Sequence, residues 1–181
     1  MRITGGEYAG IPIICPKQSL RPTMDRVRES FFSSLGDITG AYFLDVFAGS
    51  GVVGLEAVSR GAGYVVMVER DGRKKAVIQQ NIEKTKAKNC IAVRIMNAEG
   101  YIKHPEYSFD IVFMDPPFPF KNRAKLLSLA AANGCIKEGG LLLMHHPGNE
   151  TLPDKTAGLE LYKEKKYGHS RMVFYRYSGI E

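Results

Sequence analysis

Four consecutive residues carry the sharpest chemical signal in the chain. Asp115, Pro116, Pro117 and Phe118 follow Ile111-Val112-Phe113-Met114, an apolar run that reads as a strand. Proline fixes φ and has no N–H, so this loop is stiff, rich in acceptors and poor in donors. Such a loop suits a planar exocyclic amine. Two acceptors around the nitrogen hydrogen-bond its protons and favour the pyramidal geometry that attack on a methyl group requires. Asp115 supplies one oxygen and the Pro116 carbonyl the other. Phe118 can stack on the base that carries the amine, an interaction worth about 1–3 kcal/mol. The bland alternative is a proline-stopped turn after a strand.

A second constellation precedes it. Asp45-Val46-Phe47-Ala48-Gly49-Ser50-Gly51-Val52-Val53-Gly54 follows another apolar strand and opens a helix, and Gly49, Gly51 and Gly54 satisfy G-x-G-x-x-G. A dinucleotide reading would place a pyrophosphate on the helix N-terminus and the ribose on Glu69. Asp45 argues against it, because a carboxylate beside the loop repels a pyrophosphate. It suits instead the ammonium of S-adenosylmethionine, or a water bound to it, with loop N–H groups receiving the methionine moiety. Glu69 can accept both ribose hydroxyls under either reading. Asn97-Ala98, at the end of the third strand, places a polar side chain where an adenine amine can be met. A tight turn in an unrelated α/β protein is the bland alternative.

The elements that must position these residues alternate. Ala41 to Phe47, Tyr64 to Val68, Cys90 to Met96, Phe109 to Met114 and Gly140 to His145 are short, nearly continuous apolar runs, as expected of strands covered on both faces. Between them Asp71 can cap a helix with the stripe Val77, Ile78 and Ile82, and Asn122 to Ala132 carries Leu126, Leu127 and Ala130 on one face. The alternation predicts a mostly parallel sheet, with ligands at the carboxyl ends of its strands. Leu159 to Tyr162 and Met172 to Tyr177 flank Tyr167-Gly168 and predict a closing antiparallel hairpin. At the other end, Arg2 to Thr4 and Ile11 to Ile14 flank glycine turns and predict a small hairpin. A helix then opens at Thr23 with Met24, Val27, Phe31 and Leu35 on one stripe.

The 181 residues, 44% hydrophobic and 24% charged, suit one domain, with residues 1–40 as an appendage to a core of 41–181. No apolar run reaches the roughly 20 residues of a membrane helix, and the first residues lack a secretory h-region, so a cytoplasmic protein is expected. Cys15, Cys90 and Cys135 stand apart and read as buried thiols. His145 and His146 are neighbours on a strand, point to opposite faces and would not share a metal. Twenty-five basic against nineteen acidic residues give +6, a surplus that favours phosphate-bearing partners without requiring them. Lys84, Lys86 and Lys88, and the run Lys163, Lys165, Lys166, read as solvated faces.

Asp45-x-Phe47-Ala48-Gly49-Ser50-Gly51 together with Asp115-Pro116-Pro117-Phe118 resembles the class I S-adenosylmethionine methyltransferases that modify exocyclic amines. Further motifs are similar to the RsmD type: Arg2-Ile3-x-Gly5-Gly6, Arg21-Pro22-Thr23-x-Asp25-Arg26-Val27-Arg28-Glu29, Gly54-Leu55-Glu56-Ala57-x-Ser59-Arg60-Gly61-Ala62 and Lys166-Tyr167-Gly168. That family methylates guanine N2 in small-subunit ribosomal RNA. The resemblance spans nearly the whole chain. It implies a Rossmann-like, seven-stranded sheet with an N-terminal hairpin and helix closing over the cofactor. It implies that S-adenosylmethionine is bound by Asp45, Phe47, Ala48, Gly49, Ser50, Gly51, Glu69, Arg70, Asn97 and Ala98, with Thr23 at its methionine end. Asp115, Pro116 and Phe118 would hold the guanine, and Arg21, Arg26 and Arg28 the RNA. Asn97 stands where many relatives carry Asp. Ribosomal RNA or the small subunit is the implied partner, with no membrane, no metal and a monomeric enzyme.

Three other functions compete. An adenine-N6 methyltransferase on DNA or RNA shares the Asp-Pro-Pro-Phe chemistry, although no length is left for a DNA target-recognition domain. A nicotinamide-dependent oxidoreductase would use the glycine loop, and a non-enzymatic RNA-binding module would keep only the fold.

Overall fold

A computed structural model describes residues 1–15 and 23–179, with the side chains of Thr23 and Met24 outside the description. The chain divides into two compact units, Met1–Met96 and Asn97–Glu181.

In the first unit, helix α1 (Thr23–Leu35) is followed by β1 (Tyr42–Val46), α2 (Val52–Ser59), β2 (Tyr64–Glu69), a 3-10 turn at Gly72–Lys74, α3 (Lys75–Glu83) and β3 (Ile91–Ile95). The strands pair in parallel in the order β3-β2-β1, with Leu44 opposite Val66 and Val66 opposite Ala92. β1 and β2 are buried almost throughout, but β3 is only half-buried. The apolar run at 91–95 therefore marks an exposed strand rather than one covered on both faces. The predicted N-terminal hairpin closes through a single antiparallel bridge between Arg2 and Pro12, flanked by the Ile3 N–H donating to the Ile11 carbonyl at 3.1 Å.

What fixes that hairpin is one carboxylate. Glu56 lies fully buried on α2, whose other side chains are mostly apolar. It accepts from Arg28 Nε, from the Thr4 hydroxyl and from Arg60 at 2.8 and 3.1 Å. Arg28 also donates to the Arg2 carbonyl and to Asp25 at 3.1 Å. Beside this cluster, Ser59 Oγ donates to the Gly5 carbonyl at 2.6 Å and accepts the Tyr8 N–H at 2.8 Å. Gly6 has φ +80°, and a Cβ there would lie 1.8 Å from the Ser59 carbonyl oxygen, so no other residue allows the hairpin to approach α2 this closely.

The expectation that Arg28 contacts RNA is corrected here. Its side chain is 1% exposed and sits with Val27, Phe31 and Phe32 on the buried face of α1. An arginine beside the apolar stripe reaches inward when a carboxylate waits there. Arg26 is exposed, and Arg21 lies outside the described residues.

The second unit contains α4 (Ala98–Lys103), β4 (Phe109–Met114), α5 (Arg123–Ala132), β5 (Ile136–Pro147), β6 (Lys155–Thr156), β7 (Leu159–Tyr167) and β8 (Ser170–Tyr177). Its strand order is β4-β5-β8-β7-β6. β4 and β5 pair in parallel, and β5 with β8, β8 with β7 and β7 with β6 in antiparallel. The closing hairpin is present, β5 is longer than predicted, and among the described residues eight strands replace the expected seven. The extra strand is the two-residue β6, which pairs Lys155 with Glu160 and carries no periodicity of its own. Among the described residues no helix is long and apolar enough to cross a membrane.

Breaking a buried ion pair from one side strands a charge in the interior, at a cost of about 3–5 kcal/mol. Arg28→Ala is therefore expected to lower the free energy of urea unfolding by about that amount. Arg26→Ala, on the exposed face, should stay within about 0.5 kcal/mol of the parent. Equal unfolding midpoints for the two variants would refute the Glu56 cluster.

Candidate functional site

The glycine loop turns through three left-handed residues within five: Phe47 at φ 69°, Gly49 at 59° and Gly51 at 79°. A non-glycine residue there costs about 1–3 kcal/mol and persists where surroundings hold it, often beside a ligand. Three loop amides and one in the first turn of α2 already have partners. Ala48 N–H donates to the Val68 carbonyl, Gly51 N–H to the Ala48 carbonyl, Gly49 N–H to Glu69 and Gly54 N–H to Asp45. The expectation that loop amides receive a ligand is narrowed by this, since these four are satisfied within the protein.

Asp45 is buried at the tip of β1, and its Oδ2 takes the Gly54 N–H at 3.0 Å. Gly54 lies in the first turn of α2, so the carboxylate satisfies one of the amides that helix geometry leaves unpaired and supplies the negative charge its dipole favours. The helix N-terminus thus has an anion beside it, whose charge would repel a pyrophosphate. Gly54 also brings α2 against β2, where a Cβ would lie 2.5 Å from Met67 Cε.

Glu69 ends β2 as a buried carboxylate. Its Oε2 accepts Gly49 N–H at 2.9 Å and lies 3.3 Å from Lys74 Nζ; its Oε1 accepts Asp71 N–H at 2.8 Å. Oε1 keeps a lone-pair site and the longer Lys74 contact on Oε2 is half-exposed, so the group is fixed in direction and can still accept a hydroxyl. Ala48 and Ser50 are buried in the loop, and Arg70 is exposed just beyond Glu69. Asp45, Phe47, Gly49 and Glu69 are thereby joined within one unit. Thr23 opens α1, and its side chain lies outside the described residues.

In the second unit Asn97 is exposed and caps α4, its Oδ1 accepting Gly100 N–H at 2.7 Å. Its amide NH2 is the group that remains for a ligand. Ala98 is the first residue of that helix.

The Asp115–Phe118 loop follows β4 directly and is held by two residues that the sequence motifs do not single out. Arg123, 2% exposed, donates to the carbonyls of Pro117, Phe118 and Phe120 at 2.9, 3.1 and 2.7 Å, and pairs with Glu150 at 2.6 Å. None of these carbonyls is that of Pro116. The second residue is His145, 4% exposed, whose Nδ1 lies 2.9 Å from Asp115 Oδ1 and whose Nε2 lies 2.9 Å from Ser170 Oγ. A carboxylate only accepts, so the hydrogen on this contact belongs to Nδ1. Ser170 Oγ is also 3.1 Å from the Tyr167 carbonyl, its second possible acceptor. Asp115 itself remains 23% exposed, at the open end of the chain Asp115–His145–Ser170. Phe118 meets the His145 ring edge-on, with centroids 5.8 Å apart.

Both of these residues carry a signal in the sequence. Arg123 falls on the stripe of Leu126, Leu127 and Ala130, a cation on the buried face of its helix. His145 is a polar residue that follows the apolar run Leu141-Leu142-Leu143-Met144 on a buried strand. The two histidines do have separate partners, since His146 Nδ1 meets the Pro147 carbonyl at 2.9 Å. Of the cysteines only Cys135 is buried; burial pushes its thiol up to about 12, so it is no nucleophile. Cys15 and Cys90 are half-exposed, against the buried thiols expected.

The chain matches the family model described as Conserved hypothetical protein 95 over residues 1–176. It is 34% identical over 178 residues to ribosomal RNA small subunit methyltransferase D of Escherichia coli K12, covering 97% of this chain and 89% of that protein. The protein of the same name from Haemophilus influenzae is also 34% identical over 178 residues, covering 90% and 92%. Among solved structures, the Escherichia coli protein yhhF superposes with a TM-score of 0.90 at 33% identity, over 99% of this chain and 98% of that one.

His146 yields a pH dependence. Its Nδ1–H is used on the Pro147 carbonyl, and its buried Nε2 has no partner among the described residues. Burial therefore pushes its basicity below the ordinary histidine value of about 6.5. The folded state then binds fewer protons than the unfolded one, so stability is complete above about pH 6.5 and is lost as pH falls toward the folded value. Unfolding at pH 7.5 and 5.5 should show this loss in the parent and a smaller one in His146→Leu. The same loss in both proteins would assign it elsewhere.

Proposed function

The chain belongs to the Conserved hypothetical protein 95 family, and we propose that it transfers a methyl group from S-adenosylmethionine to the exocyclic N2 of a guanine in small-subunit ribosomal RNA. In this reading the whole chain acts as one methyltransferase domain, as a monomer, without metal or membrane, in the cytoplasm. The observation that carries it is the Asp115–Phe118 loop: an acceptor-rich loop whose carbonyls at 117, 118 and 120 are tied by Arg123 and whose carboxylate is aimed by His145.

The first unit fits the cofactor. Glu69, held by two amides, is directed to accept ribose hydroxyls; the left-handed turns at Phe47, Gly49 and Gly51 let backbone approach a ligand closely; Ala48, Ser50 and Arg70 border them. Asp45 keeps an anionic environment for an ammonium, directly or through water. Asn97, through its NH2, and Ala98 meet the adenine, with Thr23 at the methionine end. S-adenosylmethionine supplies the methyl group as an electrophile, bound to a positively charged sulfur.

Asp115 and the Pro116 carbonyl hold the guanine N2, and Phe118 stacks on the base. With Oδ1 bonded to His145, Oδ2 is the oxygen offered to the amine. Asp115 does not ionise the amine beforehand, because a ground-state exocyclic amine is far too weak an acid for a carboxylate. It orients the lone pair and stabilises the positive charge that grows on nitrogen as the new C–N bond forms. The N2 proton, acidic only then, leaves to that carboxylate and on to water. Arg26, and Arg21 before the helix, remain candidates for phosphate contact.

Loss of such a preorganised electrostatic group typically costs about 10²–10³ in rate. Asp115→Ala should lose about that much in single-turnover transfer to small-subunit RNA, and Asp115→Asn, which keeps an acceptor oxygen, should lose less. Both should bind S-adenosylhomocysteine normally; near-parental transfer in both would reduce Asp115 to a turn residue. Nucleoside mass spectrometry of the RNA product should show N2-methylguanosine, and N6-methyladenosine in its place would shift the acceptor to adenine.

Glu69→Ala removes charge-assisted bonds worth about 1.5–3 kcal/mol, so S-adenosylhomocysteine affinity, read by calorimetry, should fall by about one to two decades. Unchanged affinity would displace the ribose from the tip of β2.

A further inference from the structure

Beside the Asp115–Phe118 loop lies a cavity of about 750 Å³ that the assignments above leave without a ligand. It is lined by Phe118, by Pro147 at the end of β5 and Asn149 just after it, and by Lys166, His169 and Arg171 around the β7–β8 turn. We infer that this cavity receives the RNA backbone next to the target guanine, with Lys166 and Arg171 on its phosphates. The inference rests on the RNA methyltransferase reading and names where that substrate is gripped.

Four features support this occupant. Among the described residues no acidic side chain lines the cavity, whereas two permanent cations and a histidine do, which favours an anion. Its volume falls within the range of small-molecule pockets, larger than a lone phosphate needs and suited to a nucleotide. An aromatic ring and basic side chains in one cavity are the pairing that single-stranded nucleic acid uses: bases stack on the ring while the backbone tracks the charge. The walls are also fixed beforehand. Gly148 N–H donates to the His169 carbonyl at 2.7 Å, Pro147 pairs with Ser170 in the β5–β8 register, and Arg123 ties the Phe118 carbonyl.

The cavity is joined to the chemistry by a shared side chain. Ser170 lines it, and Ser170 Oγ is the last member of the chain that runs through His145 to Asp115. A base held at Asp115 and stacked on Phe118 therefore has its sugar and phosphates directed into this space. The two cations differ in commitment from their neighbours. Lys163 lies over the Phe174 ring at 5.6 Å and does not line the cavity, whereas Lys166 does. Arg171 meets Glu164 at 3.3 Å in a half-exposed pair, weak enough for a phosphate to compete with it. The lysine run at 163–166, expected to be a solvated face, thus divides into one residue packed on an aromatic ring and one at the cavity.

The test compares Lys166→Ala/Arg171→Ala with a control pair, Lys125→Ala/Lys155→Ala, which removes the same charge from exposed sites outside the cavity. Binding of the full-length proteins to a small-subunit RNA transcript is measured against salt. Every phosphate that the protein no longer neutralises lowers the log–log slope by about 0.7–0.9. The cavity pair should show that decrease and a KM for RNA raised by about tenfold or more, with kcat, S-adenosylhomocysteine affinity and thermal midpoint kept. The control pair should keep the parental slope. As a small probe, guanosine 3′,5′-bisphosphate should inhibit the parent more strongly than guanosine does, and that advantage should vanish in the cavity pair. An unchanged slope, equal losses in the control pair, or a persisting advantage of the bisphosphate each overturns the inference while leaving RNA methylation intact. A parent enzyme that methylates no RNA would overturn the underlying reading, and the inference with it.

Discussion

A single buried carboxylate organises the N-terminal unit. Glu56 has two guanidinium groups and a hydroxyl on it, and those partners come from α1, from the C-terminal end of α2 and from the hairpin. A charge in that position has no solvent to fall back on, so every partner must stay. The helix that carries Glu56 is also the helix whose first turn receives Asp45 and whose preceding loop carries Gly49 and Gly51. Fixing α2 from one end by an ion cluster therefore fixes the glycine loop at its other end. Hydrophobic packing of the same volume would hold the helix with equal or greater stability. What the ions add is direction, because a carboxylate with several donors admits one arrangement where a cluster of leucines admits several.

The second unit repeats the device with the signs exchanged. Arg123 is the buried ion, and the groups it gathers are carbonyls of the acceptor loop together with Glu150. Prolines restrict φ at three positions of that loop, 116, 117 and 119, but leave the orientation of its peptide planes open. A guanidinium with five donors in a rigid fork settles that orientation. Proline thus supplies stiffness and arginine supplies aim, and neither alone would place the Asp115 carboxylate reproducibly.

Most of the fold is legible in the sequence because its strands are short apolar runs with sharp ends. β4 is legible to the residue, since Phe109 and Pro116 bracket it. β5 reads short at its start, because Lys137, Glu138 and Gly139 interrupt the apolar run while the backbone still pairs. α4 escapes the pattern because it has six residues with a glycine among them, and it depends on the Asn97 cap more than on an apolar stripe. The site is legible where the backbone dictates residue type, as in the glycines and prolines. It is only half legible where a polar side chain acts inside the core, because its position hints at burial but not at its partner. Arg28, Glu56, Arg123 and His145 are residue types that default to the surface or its margin, and only their partners explain their burial. Those partners lie 28 and 30 residues away for Arg28 and His145, a separation that no local pattern encodes.

The proposed reaction gives a reason for holding the carboxylates of Asp45, Glu69 and Asp115 so firmly. Methyl transfer to an amine moves one positive charge from sulfur to nitrogen, and water would have to reorient as that charge moves. A carboxylate already locked in place does not. Asp45 is locked by the Gly54 amide, Glu69 by the amides of Gly49 and Asp71, and Asp115 by His145. Each lock is made by a group that is itself fixed: a helix amide, a loop amide in a left-handed turn, or an imidazole anchored on Ser170. Electrostatic stabilisation by preorganised groups requires no rearrangement at the moment of reaction, and it gains strength where water is kept out. On that proposal, the hydrogen bonds behind the carboxylates matter to the rate as much as the carboxylates themselves. The buried arginines in turn hold in position the helix and the loop on which Asp45 and Asp115 depend.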